Sequence, residues 1–206
     1  MVNHVSPAPR ATAVRDDHGS RFHLVDLDLH RDNVGVTSSS ATGYGAFNVW
    51  GNSLPAEELP SGRAIQVEDV PFTFPATGGG RPDNVRCAGQ HITVEPGQYD
   101  WLYLLTAAER RVEDEIAFHY ADGAVDFEPL RVSDFWAAPA VFGETSAFTT
   151  LTMHYPYHVQ ANVSAMVWCQ RVPLVRGAAL AAMRLPRNPA VHIFAATFVL
   201  RKGHHR

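Results

Sequence analysis

The chain has 206 residues, 46% hydrophobic and 18% charged, enough apolar material for one sizeable core and little length for a second, since single all-β domains use about 200 to 250 residues. Seventeen basic and twenty-one acidic side chains give a net charge of −4 with histidines neutral, and no run of like charge occurs, which argues against nucleic-acid partners and anionic membranes. Lys202 is the only lysine beside sixteen arginines, so the body of the chain has no residue for lysine Schiff-base chemistry.

Residues 1–20 are polar and carry Pro7, Pro9, Arg10, Arg15, Asp16, Asp17 and Gly19 without an apolar stretch, which reads as a flexible N-terminal arm and not as a secretory signal. No stretch approaches eighteen apolar residues, so no membrane-spanning helix is expected. The expected location is cytoplasmic, or secreted if the chain is an excised module. A single domain is expected over 21–201, with 202–206 as a tail.

From Phe22 onward short apolar segments alternate with Gly, Pro, Asn and Asp clusters every eight to fifteen residues or so, the rhythm of an all-β antiparallel sandwich. Residues 22–29 read as a strand with one wet face, ended by the turn Asp32-Asn33-Val34-Gly35. Strands are expected at 65–67 and 70–74 around Asp69, with Pro71 marking an edge, and Gly78-Gly79-Gly80-Arg81-Pro82-Asp83 must be a loop. Apolar runs at 90–94 and 101–105 are joined through Glu95-Pro96-Gly97-Gln98, a composition suited to a tight reversal. A strand at 113–120 ends at Ala121-Asp122-Gly123, a hairpin signal delivering 127–132 as its partner. Long strands at 149–155 and 163–172 are separated by a break at Pro156, residues 178–185 read as a strand or one helical turn, and the nearly continuous apolar run 192–200 is placed centrally in a sheet. About nine to eleven strands result, in a jelly-roll-like sandwich. Cys87 and Cys169 are far apart and lack the spacing of zinc or redox pairs; they read as two buried, reduced thiols, with a disulfide as the alternative.

Several segments together resemble the galactose-binding-like β-sandwich domains, similar to carbohydrate-binding modules, that actinobacteria append to glycosidases and related hydrolases. They are Val70-Pro71-Phe72, Asp83-Asn84-Val85, Gly89-Gln90-His91-Ile92, Pro96-Gly97-Gln98-Tyr99-Asp100-Trp101-Leu102, His119-Tyr120-Ala121-Asp122-Gly123, Val132-Ser133-Asp134-Phe135-Trp136, Leu185-Pro186-Arg187-Asn188 and His192-Ile193-Phe194-Ala195. The resemblance spans about residues 22 to 200. It implies carbohydrate binding and a structural calcium near a sheet edge, for which Asp32 and Asn33, with Asp26 and Asp28 nearby, supply oxygen donors. A plain solvated turn is the alternative at Asp32 and Asn33.

Sugar recognition needs a flat aromatic ring against the C–H face of a pyranose, with amide and carboxylate groups to orient it. Trp50 and Trp136 lie in loop-like contexts and are the stronger stacking candidates. Trp101 shares strand parity with Tyr99 and Tyr103, so these three are expected on one face, either as a binding surface or as core. Asn52, Asn84, Gln90 and Asp134 are the orienting candidates. The expected partner is a carbohydrate or another polar small molecule, and the expected function is binding by a stand-alone module.

The competing function is an enzyme acting on a small neutral molecule by acid–base chemistry in a sandwich pocket, for which His119, Asp134, His154 and Tyr155 are the candidates. No nucleophile elbow, phosphate-cradling loop or dinucleotide fingerprint is present. A third reading has the domain self-associate or pair with a catalytic partner subunit.

Overall fold

The computed structural model describes residues 21–136 and 139–202; the arm expected over 1–20 and the tail beyond Lys202 lie outside the described residues. Strand β1 (Phe22–Leu24) is followed by a 3-10 turn at Asp28–His30, so the strand expected over 22–29 stops early. Its acidic interleaf is the reason. Asp26 Oδ1 accepts the Asp28 amide and Asp28 binds Arg31 at 3.0 Å, local bonds that compete with a ladder.

Strands β2 (Val36–Thr37) and β3 (Leu54–Pro55) pair in parallel. Strands β4 (Ala64–Val67) and β5 (Val70–Thr73) form a hairpin whose turn residues Glu68 and Asp69 have φ of 52° and 62°, the positive pair that matches strand twist in two-residue hairpins. The next strands are β6 (Val85–Arg86), β7 (His91–Gly97), β8 (Tyr99–Ala108), β9 (Val112–Tyr120) and β10 (Val125–Val132). The last are β11 (Thr145–Thr149), β12 (Thr152–Tyr155), β13 (His158–Ala161), β14 (Met166–Pro173), β15 (Leu180–Arg184) and β16 (Val191–Leu200). The helical alternative for 178–185 is therefore replaced by a strand.

Two antiparallel sheets carry the fold. One is six-stranded in the order β1-β16-β8-β14-β11, with β6 also on β16; the other is four-stranded in the order β10-β9-β15-β7. These sheets hold ten strands and three two-stranded ladders hold six more, so the described residues carry sixteen strands where the turn spacing leads one to expect about nine to eleven; the excess is mostly in strands of two to four residues, too short to show a period.

Local register departs from the sequence reading at three places. Strands β7 and β8 are not partners, because the chain crosses from the four-stranded to the six-stranded sheet at Gly97 and Gln98. Gly97 lies under the Tyr99 ring, where a Cβ would sit 3.0 Å from Tyr99 Cζ and Oη, and the Tyr99 hydroxyl donates to the Glu95 carbonyl at 2.8 Å. Next, β8 has an extra residue at Asp100, since Leu200 pairs with Tyr99 while Val199 pairs with Trp101. This bulge turns Tyr99 to one face of the sheet and Trp101 and Tyr103 to the other, so the three aromatics do not share a face. Finally, Pro156 does more than break a strand: Tyr155 pairs with His158, making Pro156 and Tyr157 the two-residue turn of the β12–β13 hairpin.

Apolar side chains from both sheets meet in one core, with Leu102, Leu104, Trp168, Val172 and Phe198 facing Ile92, Ile116, Phe118, Leu130 and Met183. A second core covers the opposite face of the six-stranded sheet, where Leu105, Val167 and Phe194 meet Val36, Phe47, Leu54, Ile65, Phe72 and Phe74 from the chain before β6. The Phe74 ring stacks on Phe194 at 5.8 Å. The six-stranded sheet is thus sandwiched on both sides, which accounts for the burial of nine of the ten positions of β16 and for its unbroken apolar sequence.

Candidate functional site

A cleft of about 520 Å³, open on one side, lies where the outer layer of loops meets one end of the six-stranded sheet. Asn48, Trp50 and Asn52 line it from one loop, Asp134, Phe135 and Trp136 from another, Glu109 and Arg110 from the β8–β9 turn, and Tyr155 from the end of β12.

The first loop is built around Asn48. Its buried Oδ1 accepts the amides of Trp50 (3.1 Å) and Asn52 (3.2 Å), and its Nδ2 donates to Asn52 Oδ1 (3.0 Å). The Gly51 amide donates to the Asn48 carbonyl at 3.0 Å, and Gly51 has φ +68° with Pro156 against it; a Cβ there would sit 2.9 Å from Pro156 Cγ. These bonds fix a tight turn that leaves Trp50 60% exposed, a large apolar side chain held out toward solvent by a hydrogen-bonded backbone. Asn52 Nδ2 reaches the His154 carbonyl at 3.4 Å, and the backbones of Ser53 and His154 exchange bonds of 3.0 and 2.9 Å. The loop is therefore tied to β12, which brings Tyr155 to the same cleft.

The second loop is pinned from both sides. The Phe135 amide donates to the Ala108 carbonyl (2.9 Å), its carbonyl accepts the Met166 amide (2.7 Å), and the Asp134 carbonyl accepts Trp168 Nε1 (3.0 Å). Asp134 Oδ1 accepts the Trp136 amide at 2.9 Å, a local turn that leaves its other oxygen without a hydrogen bond among the described residues. Phe135 is buried between Phe47 (ring centroids 4.5 Å apart) and Trp136, which it meets edge-on at 5.8 Å. Behind it the buried Glu144 accepts the Ser133 amide (2.6 Å) and the Phe142 amide (3.0 Å).

Glu109 and Arg110 complete the wall. The Glu109 amide donates to the Ala190 carbonyl at 2.8 Å and Arg110 is left-handed at φ +67°, a conformation uncommon outside glycine. Neither side chain makes an ion pair or hydrogen bond among the described residues.

Of the ligand candidates read from the sequence, the cleft gathers Trp50, Asp134 and Trp136, while Asn52 stands behind its wall, 2% exposed, with both amide atoms spent on Asn48 and the His154 carbonyl. Asn84 is elsewhere and fully buried: its Nδ2 donates to the Asn33 carbonyl and Oδ1 and to Asp83 Oδ1, and its Oδ1 meets His192 Nδ1 at 2.8 Å. No surface of Asn84 is left for a ligand. Gln90 is spent on the Arg86 carbonyl, the Ala88 amide and Asp32 Oδ2. Trp101 lies on a different surface, under the Arg171 guanidinium 5.2 Å from its ring and beside Glu68 and Asp69.

The four acid–base candidates do not come together. Asp134 and Tyr155 line the cleft. His119 is on the outward face of the four-stranded sheet, 5.1 Å from the His91 ring; burial, then the His91 and Arg184 charges, lower its pKa. His154 is buried beneath the loop layer with Nδ1 2.8 Å from Thr37 Oγ1, itself 2.7 Å from Ser53 Oγ. Desolvation lowers its pKa against the opposing pull of Glu57 and Glu58. An acid–base mechanism at the cleft would have to use Asp134, Tyr155 and the unforeseen Glu109.

For the calcium expectation, Asp32 Oδ1 accepts the Arg86 amide at 2.8 Å and Oδ2 accepts Gln90, while the Asn33 amide group donates to the Ala46 carbonyl at 2.7 Å. Both side chains stitch the 31–35 turn to the 84–90 segment. Among the described residues no group of three or more His, Cys, Asp or Glu side chains is arranged to hold a metal. Cys87 and Cys169 are buried free thiols, as expected; burial raises both, Cys169 to about 12, which keeps them protonated and unreactive.

Sequence reasoning missed Asn48, Glu109, Arg110 and Phe135 as cleft residues. The Asn48/Asn52 pair four apart around Trp50-Gly51 was an available signal of a side-chain-stapled turn. Glu109 and Arg110 carried none, because their place depends on where the β8–β9 turn ends in space.

No curated protein matches the sequence. A family model, described as AziU2-like beta-sandwich domain, matches residues 23–202, which takes in every cleft residue and all of both sheets but Phe22, the first residue of β1. That match agrees in fold with the sandwich implied by the galactose-binding-like resemblance and carries that finer assignment no further. On the extent of the match and the two-sheet architecture together, the chain belongs to the AziU2-like β-sandwich domain family.

Proposed function

We propose that this domain binds a polar, ring-shaped small molecule, a carbohydrate or a glycosylated compound, in the cleft between Trp50, Trp136 and Tyr155. The observation that carries the reading is the convergence of these three aromatic side chains, from three separate segments, on one cleft with the Asn48 and Asn52 loop as its edge. Flat aromatic walls take the apolar face of a pyranose, and the charged groups of Glu109, Arg110 and Asp134 on the same lining are available to orient its hydroxyls. A volume of about 520 Å³ suits one or two sugar rings, within the about 300 to 1,000 Å³ of small-molecule sites. The likeness to carbohydrate-binding modules points to the same class. Calorimetric titration with methyl glucosides, galactosides and mannosides tests it. Binding that weakens about tenfold or more in Trp50→Ala or Trp136→Ala is expected from the loss of a stacking face; absence of binding to every sugar at millimolar concentration would remove the reading.

A further inference from the structure

The cleft holds charge as well as aromatic surface, and the charge is unspent. Among the described residues Glu109 makes no ion pair or side-chain hydrogen bond and Asp134 uses one carboxylate oxygen, on the Trp136 amide. Arg110 also lines the cleft, so the lining carries two carboxylates against one guanidinium. Arg110 is the more exposed and Glu109 and Asp134 are half-buried, which places the negative charge deeper and the positive charge toward solvent. The rings of Trp50, Trp136 and Tyr155 line the same cleft. An electron-rich ring face attracts a cation within about 6 Å of its centroid, most strongly for tryptophan, and the attraction grows as water is excluded.

We infer that the ligand carries a protonated amine, seated between the indole faces and the carboxylates of Glu109 and Asp134. The inference rests on the cleft being the ligand site and adds the charge of the ligand. A purely neutral ligand would leave two half-buried carboxylates with only the exposed Arg110 guanidinium to offset them, whereas an ammonium group donates up to three hydrogen bonds and satisfies both. Amino sugars and other ring amines are the class selected. The Arg110 guanidinium, at the mouth, disfavours a second positive charge on the solvent side and suits a ligand with one amine or an added anionic group.

The test compares glucosamine, glucose and N-acetylglucosamine, similar rings that differ in charge at one position. They are titrated at about pH 6, where the amine is protonated, and low salt, following both heat and the side-chain indole N–H signals of the tryptophans. Glucosamine is expected to bind about tenfold tighter than the two neutral sugars, a preference that shrinks at high salt. Glu109→Gln and Asp134→Asn should each cut the preference several-fold, and Arg110→Gln should widen it. Glu115→Gln, on the outward face of the four-stranded sheet, should leave the preference unchanged. Thermal unfolding of each variant confirms that the fold is intact. Equal binding of all three sugars, with Trp50 and Trp136 signals moving, would overturn the charge inference and leave the cleft reading standing. No movement at either tryptophan with any sugar would overturn both.

Discussion

Asn48 shows how a single buried amide sets a functional surface. With two backbone amides on its oxygen and its nitrogen on Asn52, it makes three of its four possible hydrogen bonds within the turn that holds Trp50 outward. Replacing it by Ala leaves two inward amides without an acceptor, so Asn48→Ala should lower unfolding free energy by about 1 to 3 kcal/mol and weaken ligand binding, as read by urea unfolding and titration. A second residue-scale feature lies just behind, where His192 stacks on Phe47 at 4.2 Å and bonds Asn84, and Asn84 bonds Asp83. Asn84 donates through its nitrogen to three acceptors, so its oxygen accepts and His192 Nδ1 carries the proton. Burial lowers His192 to about 3 and raises Asp83 to about 6, the latter against bonds from Asn84 and the Gly35 and Val36 amides.

The pH consequences have opposite signs. Between about pH 3 and 6.5 the unfolded state binds the His192 proton and the native state does not, so this term makes stability rise with pH. Between about pH 4 and 6 the native state holds the Asp83 proton and the unfolded state has lost it, so this term makes stability fall. In the wild type the two slopes oppose each other across about pH 4 to 6. His192→Gln, which keeps a donor for Asn84, removes the rising term; its stability relative to wild type should therefore fall as pH goes from about 4 to 6 in urea titrations. A relative stability that is level or rises over that range would contradict the assignment. At this scale the sequence spoke clearly where loop chemistry was local, as at Trp50 beside Gly51 and Asn52 or Asp134 two residues before Trp136. It misled at Asn84, next to a glycine-rich loop yet paired through an isolated bridge with Asn33 and buried by contacts far away in the chain.

At the scale of elements, apolar periodicity and turn composition revealed most strands, and the departures trace to insertions that periodicity does not register. The Asp100 bulge reverses the parity of β8 and sends Trp101 away from Tyr99. The crossing at Gly97 and Gln98 looks in sequence like a hairpin, because Pro and Gly suit both a tight turn and a change of sheet. The β4–β5 hairpin is the most designable element. Asp69 adopts φ 62° at the second turn position and Thr197 Oγ1 donates to the Pro71 carbonyl at 2.7 Å, fixing the hairpin on β16. Asp69→Gly relieves the left-handed conformation without removing an observed contact, and should raise stability by up to about 1 kcal/mol. Thermal unfolding checks it: a lower melting temperature would mean that the Asp69 side chain supports the turn.

For the whole molecule, the consequence of burying the six-stranded sheet on both faces is a scaffold that supports three loops at one end without their own packing core. Phe47 and Phe135 belong to the second core while their neighbours Asn48, Trp50, Asp134 and Trp136 face the cleft, so site and core alternate along each loop and ligand binding is built on rigid ground. Low overall charge still leaves a locally acidic cleft, a feature invisible in a net charge of −4. The chain has four tryptophans, and they form a natural reporter set: Trp50 and Trp136 in the cleft, Trp168 in the core and Trp101 on a separate surface. The most direct measurement is therefore a nitrogen-15 spectrum of the four indole N–H groups during titration with glucosamine. Concerted, saturable shifts at Trp50 and Trp136 with Trp101 unmoved are the expected result; a shift at Trp101 with Trp50 and Trp136 still would contradict the placement of the ligand in this cleft.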